Sequence, residues 1–416
     1  MTDNEIKKPR VMLCSVDVGE FDAERSIDEL EELADTAGAE TVLKLIQKRP
    51  SYEPGTCVGT GRLAEMAELC RSEDIDQIIF DCELTATQIK NIEDVCEVHT
   101  IDRTMLILDI FAQRAVTHEG RLQVEIAQHK YRLPRLAGMG VKLSRLGGGI
   151  GTRGPGETKL ETDKRHIRTR IASLTQELRE IEKRRGLHRE RRKKDGVLVC
   201  AIVGYTNVGK STLLNTLTDA GILAENKLFA TLETTSRSIE LPDGRSVMLV
   251  DTVGLISRLP HHLVEAFKST LEEAANADVI LHIVDASNDE CEQQARVTLE
   301  LLKDLGCEGI PVVTVLNKCD LVPYINDLTA GENTVKISAK KGEGIPALLE
   351  AITKALPQNA KKMKLLIPYF EGSLLSEIRR DGKVFSEEYT HDGTLVDALV
   401  DIKLYSRVEQ YKYLDS

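Results

Sequence analysis

Hydrophobic positions along this chain follow two periods, and the period forecasts the element. Strand-length apolar runs at 11–16, 41–46, 77–80 and 98–101 punctuate the first hundred residues, each bounded by polar or glycine-containing turns. Helical stretches lie between them. Ser26-Ile27-Asp28-Glu29 reads as a capping box for a helix closed near Gly38, and further helices are expected at 63–71 and 85–96. This rhythm predicts a small α/β domain with a mostly parallel sheet. Gly55, Gly59 and Gly61 fit neither a phosphate-loop nor a dinucleotide spacing and read as a turn before a helix.

The period then changes. Leu122, Ile126, His129 and Leu133 are spaced 4-3-4, while Leu160, Ile167, Ile171, Leu174, Leu178 and Ile181 are spaced 7-4-3-4-3. Two long helices paired as an antiparallel coiled coil explain both stripes. At ~1.5 Å per residue, a second helix over about 158–194 is roughly 50 Å long, an arm rather than a core element. Between the helices, 135–156 interleaves glycines with Lys142, Arg145 and Arg153, and no acidic residue occurs from Lys130 through Gly156. Such a tip suits a polyphosphate partner, and its lack of aromatics favours contacts with phosphate or RNA shape over base stacking. A solvated linker takes the same composition.

From residue 197 onward, apolar strands end in motifs. The run 197–203 leads into Gly204-Tyr205-Thr206-Asn207-Val208-Gly209-Lys210-Ser211, and Thr212 continues a helix. Strand, glycine loop and helix is the setting of a phosphate-binding loop, whose N–H groups and helix dipole cradle a β-phosphate. Lys210 should reach the β- and γ-phosphates, and the Ser211 hydroxyl should ligate Mg²⁺. After strand 246–250, Asp251-Thr252-Val253-Gly254 offers a carboxylate for the Mg²⁺ shell through water and a Gly254 N–H for the γ-phosphate. After strand 312–316, Asn317-Lys318-Cys319-Asp320 supplies a carboxylate that can accept guanine N1–H and the 2-amino group, which argues for GTP over ATP. Ser338-Ala339-Lys340 would bring a backbone N–H to guanine O6. The order of the four motifs predicts a GTP hydrolase cycling between GTP and GDP.

Many GTPases place Gln after the Gly254 position to orient the attacking water. Here it is Leu255, so slow intrinsic hydrolysis and stimulation by a partner are expected. Asn207 resembles the asparagine of potassium-activated GTPases, where K⁺ spreads charge between the β- and γ-phosphates. Its other reading is to hold the loop by hydrogen bonds.

Composition narrows the setting. The 416 residues exceed one core and divide as 1–115 (α/β), 116–195 (hairpin with tip 135–156), 196–357 (GTPase domain) and 358–416 (small α+β appendage). In the appendage, lysine-rich 361–364 precedes a helix-like 374–379 and two strands ending near Leu404. The net charge of -12 hides an asymmetry: Lys159–Lys194 carries 14 Lys/Arg against 6 Asp/Glu, or +8, leaving -20 elsewhere. No run of 18 apolar residues and no basic-then-apolar leader occurs, so a cytoplasmic protein without membrane insertion is expected. The scattered cysteines, with no CxxC pair, predict reduced thiols with no disulfide partner.

Gly154-Pro155-Gly156-Glu157-Thr158-Lys159-Leu160-Glu161-Thr162-Asp163-Lys164-Arg165 resembles the signature of the HflX family of ribosome-associated GTPases, within the Obg-HflX-like translation-factor-related GTPases. The stretches 204–212 and 251–254 match that family's GTP site, and the likeness extends to 21–26, 101–104 and 110–114. The resemblance implies an N-terminal α/β domain with a helical hairpin, a GTPase domain and often a short C-terminal domain. It also implies binding to the large ribosomal subunit, through ribosomal proteins and rRNA near the peptidyl-transferase centre, and splitting of stalled or stress-damaged ribosomes. The family's switch segment usually reads FATLDPTTR; here Thr234 replaces Pro. Thr231 is the candidate to contact Mg²⁺ and γ-phosphate in the GTP state, with Thr234 and Thr235 as alternatives. Two further functions stay open: a regulatory GTPase whose arm binds RNA or tRNA, and a signalling GTPase that uses the hairpin for protein docking.

Overall fold

The computed structural model describes residues 8–144, 159–194, 196–218, 228–229, 235–256, 258, 272–322, 333–357 and 360–413. They form two compact units. The first takes in Met1–His188, Glu225–Glu233 and Arg258–Ser269; the second takes in Arg189–Ala224, Thr234–Ser257 and Thr270–Ser416.

The first unit runs β1 (Arg10–Asp17), α1 (Ala23–Thr36), β2 (Glu40–Lys48), α2 (Thr60–Ser72), β3 (Gln77–Phe80), α3 (Ala86–Cys96), β4 (His99–Asp102), α4 (Arg103–Arg114), α5 (His118–Ser144) and α6 (Lys159–Lys194), of which the last turns belong to the second unit. Its sheet has the order β2-β1-β3-β4, with every pair parallel. Met12, Cys14, Ile78 and Phe80 on one sheet face pack with Leu63, Met66 and Cys70 of α2 and Ile92 of α3. Helix α1 covers β1 and β2 and meets α4.

Three local features differ from the sequence reading. Helix α1 starts at Ala23, because Asp22 Oδ1 accepts the Glu24 and Arg25 N–H groups at 3.1 and 3.2 Å; Ser26 therefore lies inside the first turn rather than capping it. Helix α4 had no counterpart in the pattern. Helix α5 continues through Pro134 to Ser144, so the first part of the expected tip, 135–144, is helical. One proline removes a single backbone hydrogen bond, and Arg135 fastens the next turn: it donates to Leu84 O and Tyr131 O, each at 3.1 Å, and its guanidinium lies 3.5 Å from the Tyr131 ring centre. Lys142 sits on this helix; Arg145 and Arg153 lie outside the described residues.

Helices α5 and α6 pair antiparallel. Leu122, Ile126 and Leu174 form the seam with Leu178 and Ile181, and His118–Glu177 (2.8 Å) and Arg170–Glu125 (2.7 Å) flank it. Val124, Ala127 and Tyr131 on α5 are buried as well, and α5 packs on α3 and α4. The first helix of the hairpin thus belongs to the α/β core, while α6 is mostly exposed.

The second unit contains β5 (Leu198–Gly204), α7 (Lys210–Thr218), β6 (Thr235–Glu240), β7 (Ser246–Asp251), β8 (Val279–Asp285), α8 (Cys291–Asp304), β9 (Val312–Asn317), β10 (Thr334–Lys336) and α9 (Ile345–Ala355). Its sheet order is β10-β9-β8-β5-β7-β6, parallel except for the edge strand β6. β5 and β8 are buried throughout, which is why they read as unbroken apolar runs. His282 of β8 is 1% exposed, neither ring nitrogen has a partner among the described residues, and burial pushes it down to about 4. The C-terminal part adds β11 (Ala360–Ile367), α10 (Gly372–Asp381), β12 (Lys383–Tyr389), β13 (Thr394–Asp401) and α11 (Ile402–Val408), an antiparallel sheet in the order β11-β13-β12. The lysine-rich 361–364 is inside β11, and Met363, Leu365, Val396 and Ala398 bury against Leu374 and Ile378. Arg245, between β6 and β7, donates to Thr353 O and Pro357 O at 2.9 and 2.8 Å and so closes the end of α9.

Candidate functional site

The four motifs emerge at the carboxyl ends of β5, β7, β9 and β10, the edge at which open α/β sheets receive ligands. Between β5 and α7 the loop 205–209 turns on two residues in the left-handed region, Asn207 (φ 61°) and Gly209 (φ 95°). A side chain at Gly209 would meet Asn317 Nδ2 at 2.4 Å, so glycine is required there. Asn207 is exposed, and asparagine tolerates this backbone region better than most residues.

Lys210 is buried and donates to Gly204 O at 3.1 Å and Tyr205 O at 2.6 Å. Desolvation lowers its pKa to about 8, against a smaller opposing pull from Asp251. An ammonium so placed gains more from an arriving phosphate than a solvated one would. Ser211 Oγ donates to Asp251 Oδ2 at 2.9 Å. A hydroxyl and a carboxylate, both hard oxygen donors and adjacent, suit Mg²⁺, which keeps waters in its remaining positions. Thr252 Oγ1 donates to Ile202 O at 2.8 Å and fixes the start of the next turn.

Gly254 lies against the loop: a Cβ there would approach Thr206 Cγ2 to 2.7 Å and Lys210 Nζ to 3.0 Å. Leu255 is buried, its N–H donates to Gly204 O at 3.1 Å, and its carbonyl accepts the Thr206 N–H at 2.7 Å. An apolar side chain stitched by its backbone to the phosphate loop has no group that can orient a water.

The base-reading motifs are cross-tied. Asn317 Nδ2 donates to Val208 O at 2.7 Å, and Asn317 Oδ1 accepts the Ala339 N–H at 2.9 Å, so one amide joins the phosphate loop to 338–340. Lys318 (φ 60°) pairs with Asp285 Oδ2 at 2.6 Å. Hydrogen bonding from Ser338 holds the Asp320 carboxyl below its ordinary value, and Lys341 Nζ lies 3.6 Å away. An ionised, acceptor-only carboxylate is what guanine N1–H and N2–H₂ require. Asp285 and Lys341 were not read from the sequence; the acidic residue ending the apolar run 279–284 was the available signal for the first. Lys340, Tyr205, Val208 and Thr212 fall in the same loops and first helical turn, whereas Thr231 and Thr234 lie outside the described residues. Thr235 opens β6, paired with Asp251.

All nine cysteines are free thiols, and no helix among the described residues is long and apolar enough to cross a membrane. Family models match the chain in series: a GTP-binding GTPase N-terminal region over 24–112, a GTP-binding GTPase middle region over 114–192, and a 50S ribosome-binding GTPase over 199–318. GTPase HflX of Lacrimispora saccharolytica is 49% identical over 402 residues, 95% of each chain. GTPase HflX of Caldanaerobacter subterraneus subsp. tengcongensis is 48% identical over 405 residues, 97% of this chain and 94% of that one. GTPase HflX of Escherichia coli is 41% identical over 374 residues, 89% of this chain and 88% of that one. Likeness of this extent, together with a phosphate loop and a guanine-reading loop tied together by Asn317, makes the chain a member of the HflX family of GTPases and a GTP hydrolase.

Proposed function

We propose that this GTPase binds the large ribosomal subunit in its GTP state and splits stalled or stress-damaged ribosomes, with hydrolysis serving release. The observation that carries the reading is α6: 36 residues, roughly 54 Å at the helical rise, exposing Arg165, Arg168, Arg179, Lys183 and Arg184, in a chain whose 199–318 region matches a 50S ribosome-binding GTPase. Such a face suits an RNA backbone, and the cationic Arg145 and Arg153 of the intervening sequence are the proposed contacts to rRNA near the peptidyl-transferase centre. The working division is 1–115, 116–195, 196–357 and 358–416, in a cytoplasmic protein.

In the site, Lys210 and the N–H groups of 205–212 hold the phosphates, while Ser211, Thr231 and, through water, Asp251 hold Mg²⁺. Gly254 meets the γ-phosphate, and Asn317, Lys318, Asp320 and 338–340 hold guanine. Mg²⁺ supplies charge neutralisation at the β- and γ-oxygens when bound. Asn207 offers its carbonyl to K⁺. With Leu255 in place of a water-orienting side chain, unassisted turnover is slow and the subunit completes the site.

The test is GTP turnover with and without purified large subunits, in potassium and then in sodium, beside a light-scattering assay of ribosome splitting with GTP, GDP and a non-hydrolysable GTP analogue. Subunit-stimulated turnover, splitting by the analogue but not by GDP, and loss of splitting on charge reversal of Arg145 and Arg153 are expected. Equal splitting by the GDP form would refute the switch. Turnover indifferent to subunits would move the reading to protein docking, and a preference for free RNA to an RNA regulator.

A further inference from the structure

Cys14, Cys57, Cys70, Cys82 and Cys96 all lie in the first unit, and two of them are held thiol to thiol. Cys57 Sγ and Cys82 Sγ are 3.3 Å apart, a hydrogen-bonded contact between residues 25 positions apart in the chain. Neither belongs to a nucleotide motif or to the basic arm.

The contact is framed on both sides. Glu53 and Cys57 exchange backbone hydrogen bonds, each 2.9 Å long, which closes a short turn before α2. Helix α3 restrains that turn from outside: Gln88 Nε2 donates to Glu53 O at 3.0 Å, and Asn91 Nδ2 donates to Gly55 O at 2.8 Å. Cys57 itself has φ 64°, a left-handed conformation that a non-glycine residue keeps only where its surroundings over-determine it. Cys82 follows β3 between two restrained neighbours, since the Asp81 N–H donates to Cys14 O at 2.9 Å and the Leu84 N–H to Asp102 Oδ2 at 3.0 Å. With a single torsion between each backbone and its sulfur, the two thiols stay together, and a reaction between them has the advantage of an intramolecular one.

Exposure sets the order of events. Cys57 is 1% exposed, whereas Cys82 is partly open to solvent. The hydrogen bond to Cys57, and after it burial, raise the Cys82 thiol above its ordinary value, so its thiolate is scarce and its oxidation slow. Cys70 and Cys96 also hydrogen-bond to each other, but at 3% and 2% exposed that pair has no open member.

We propose that Cys57 and Cys82 are a modification site, forming a reversible disulfide under sustained hydroperoxide load that ties the turn before α2 to the end of β3. The Cys82 thiolate attacks hydrogen peroxide; its sulfur gains one oxygen and becomes a sulfenic acid, the O–O bond breaks, and water leaves. Cys57 sulfur then attacks Cys82 sulfur, the S–S bond forms, the S–O bond breaks, and hydroxide departs with the Cys57 proton as a second water. Two thiols are oxidised while one hydrogen peroxide is reduced to two waters, and a dithiol reductant reverses the bond by exchange. The closed loop contains α2 and β3, so the link restricts the unfolded chain and stabilises the first unit.

The test uses the full chain without nucleotide or ribosomes, so it stands apart from the ribosome reading. After about an hour in millimolar hydrogen peroxide, the denatured chain should have lost two of its nine titratable thiols. Peptide mapping should link Cys57 with Cys82, and dithiothreitol should restore both. Cys57→Ser should leave a sulfenic acid at Cys82 that dimedone traps, whereas Cys82→Ser should give neither a link nor an adduct at position 57. The oxidised chain should unfold at a Tm roughly 5 °C or more above the reduced one, a shift absent from Cys82→Ser. Mapping of the unsubstituted chain decides the matter alone if a serine variant yields no folded protein. A link between Cys70 and Cys96 instead, thiol loss spread over other cysteines, a dimedone adduct on Cys57, or an oxidised chain no more stable than the reduced one would overturn the proposal.

Discussion

Lys210 shows how a single group can be prepared for its ligand. Its pKa of about 8 without phosphate means that, above pH 8, the lysine must regain a proton as the anion arrives. Nucleotide binding should take up roughly nine-tenths of a proton at pH 9 and a tenth at pH 7, measured by calorimetry in buffers of differing ionisation enthalpy; equal uptake at both would remove Lys210 as the source. Asp320 acts by staying ionised. Asp320→Asn replaces an acceptor with a donor, so GTP affinity should fall roughly a hundredfold or more while xanthosine triphosphate, which presents an acceptor at C2, gains. Competition binding with the two nucleotides checks this. The sequence showed these residues because each motif ends an apolar strand. It did not show that the Asn317 amide would be spent on joining two loops, since that depends on where Val208 and Ala339 come together in space.

At the scale of elements, legibility followed the strength of local signals. Strands β1 to β4 and β5, β7, β9 and β10 stood out as short apolar runs closed by turns. Helix α4 was missed because Arg103–Arg114 carries apolar residues on most sides, as an element covered both by α1 and by α5 must. Asp22 prevails over Ser26 as the cap because it adds a turn and buries Ala23. The tip was expected to begin at 135, but packing of Tyr131 and Arg135 carries the helix past Pro134. The seam was legible by spacing: Leu174 is 2% exposed between the hairpin helices. Leu174→Ala should destabilise by about 2–3 kcal/mol, read by urea unfolding, with no change in nucleotide affinity. A loss of less than about 0.5 kcal/mol would mean the helices are held by their charged flanks instead.

Across the whole molecule, β8 lends stability that depends on acidity. His282 is enclosed among apolar strands and stays neutral, whereas an unfolded chain would offer it a solvated site that protonates near 6.5. The unfolded state thus binds the extra proton first, and stability drains away as pH falls from 6.5 toward 4, by about 3 kcal/mol in all. The GTPase sheet therefore has an acid threshold set by one imidazole, apart from any carboxylate. His282→Leu should shift its acid unfolding, followed by circular dichroism, to lower pH, and an unmoved midpoint would assign the transition elsewhere. A cell whose interior acidifies under stress would draw down the stability of the nucleotide-binding sheet through a side chain that belongs to none of the nucleotide motifs.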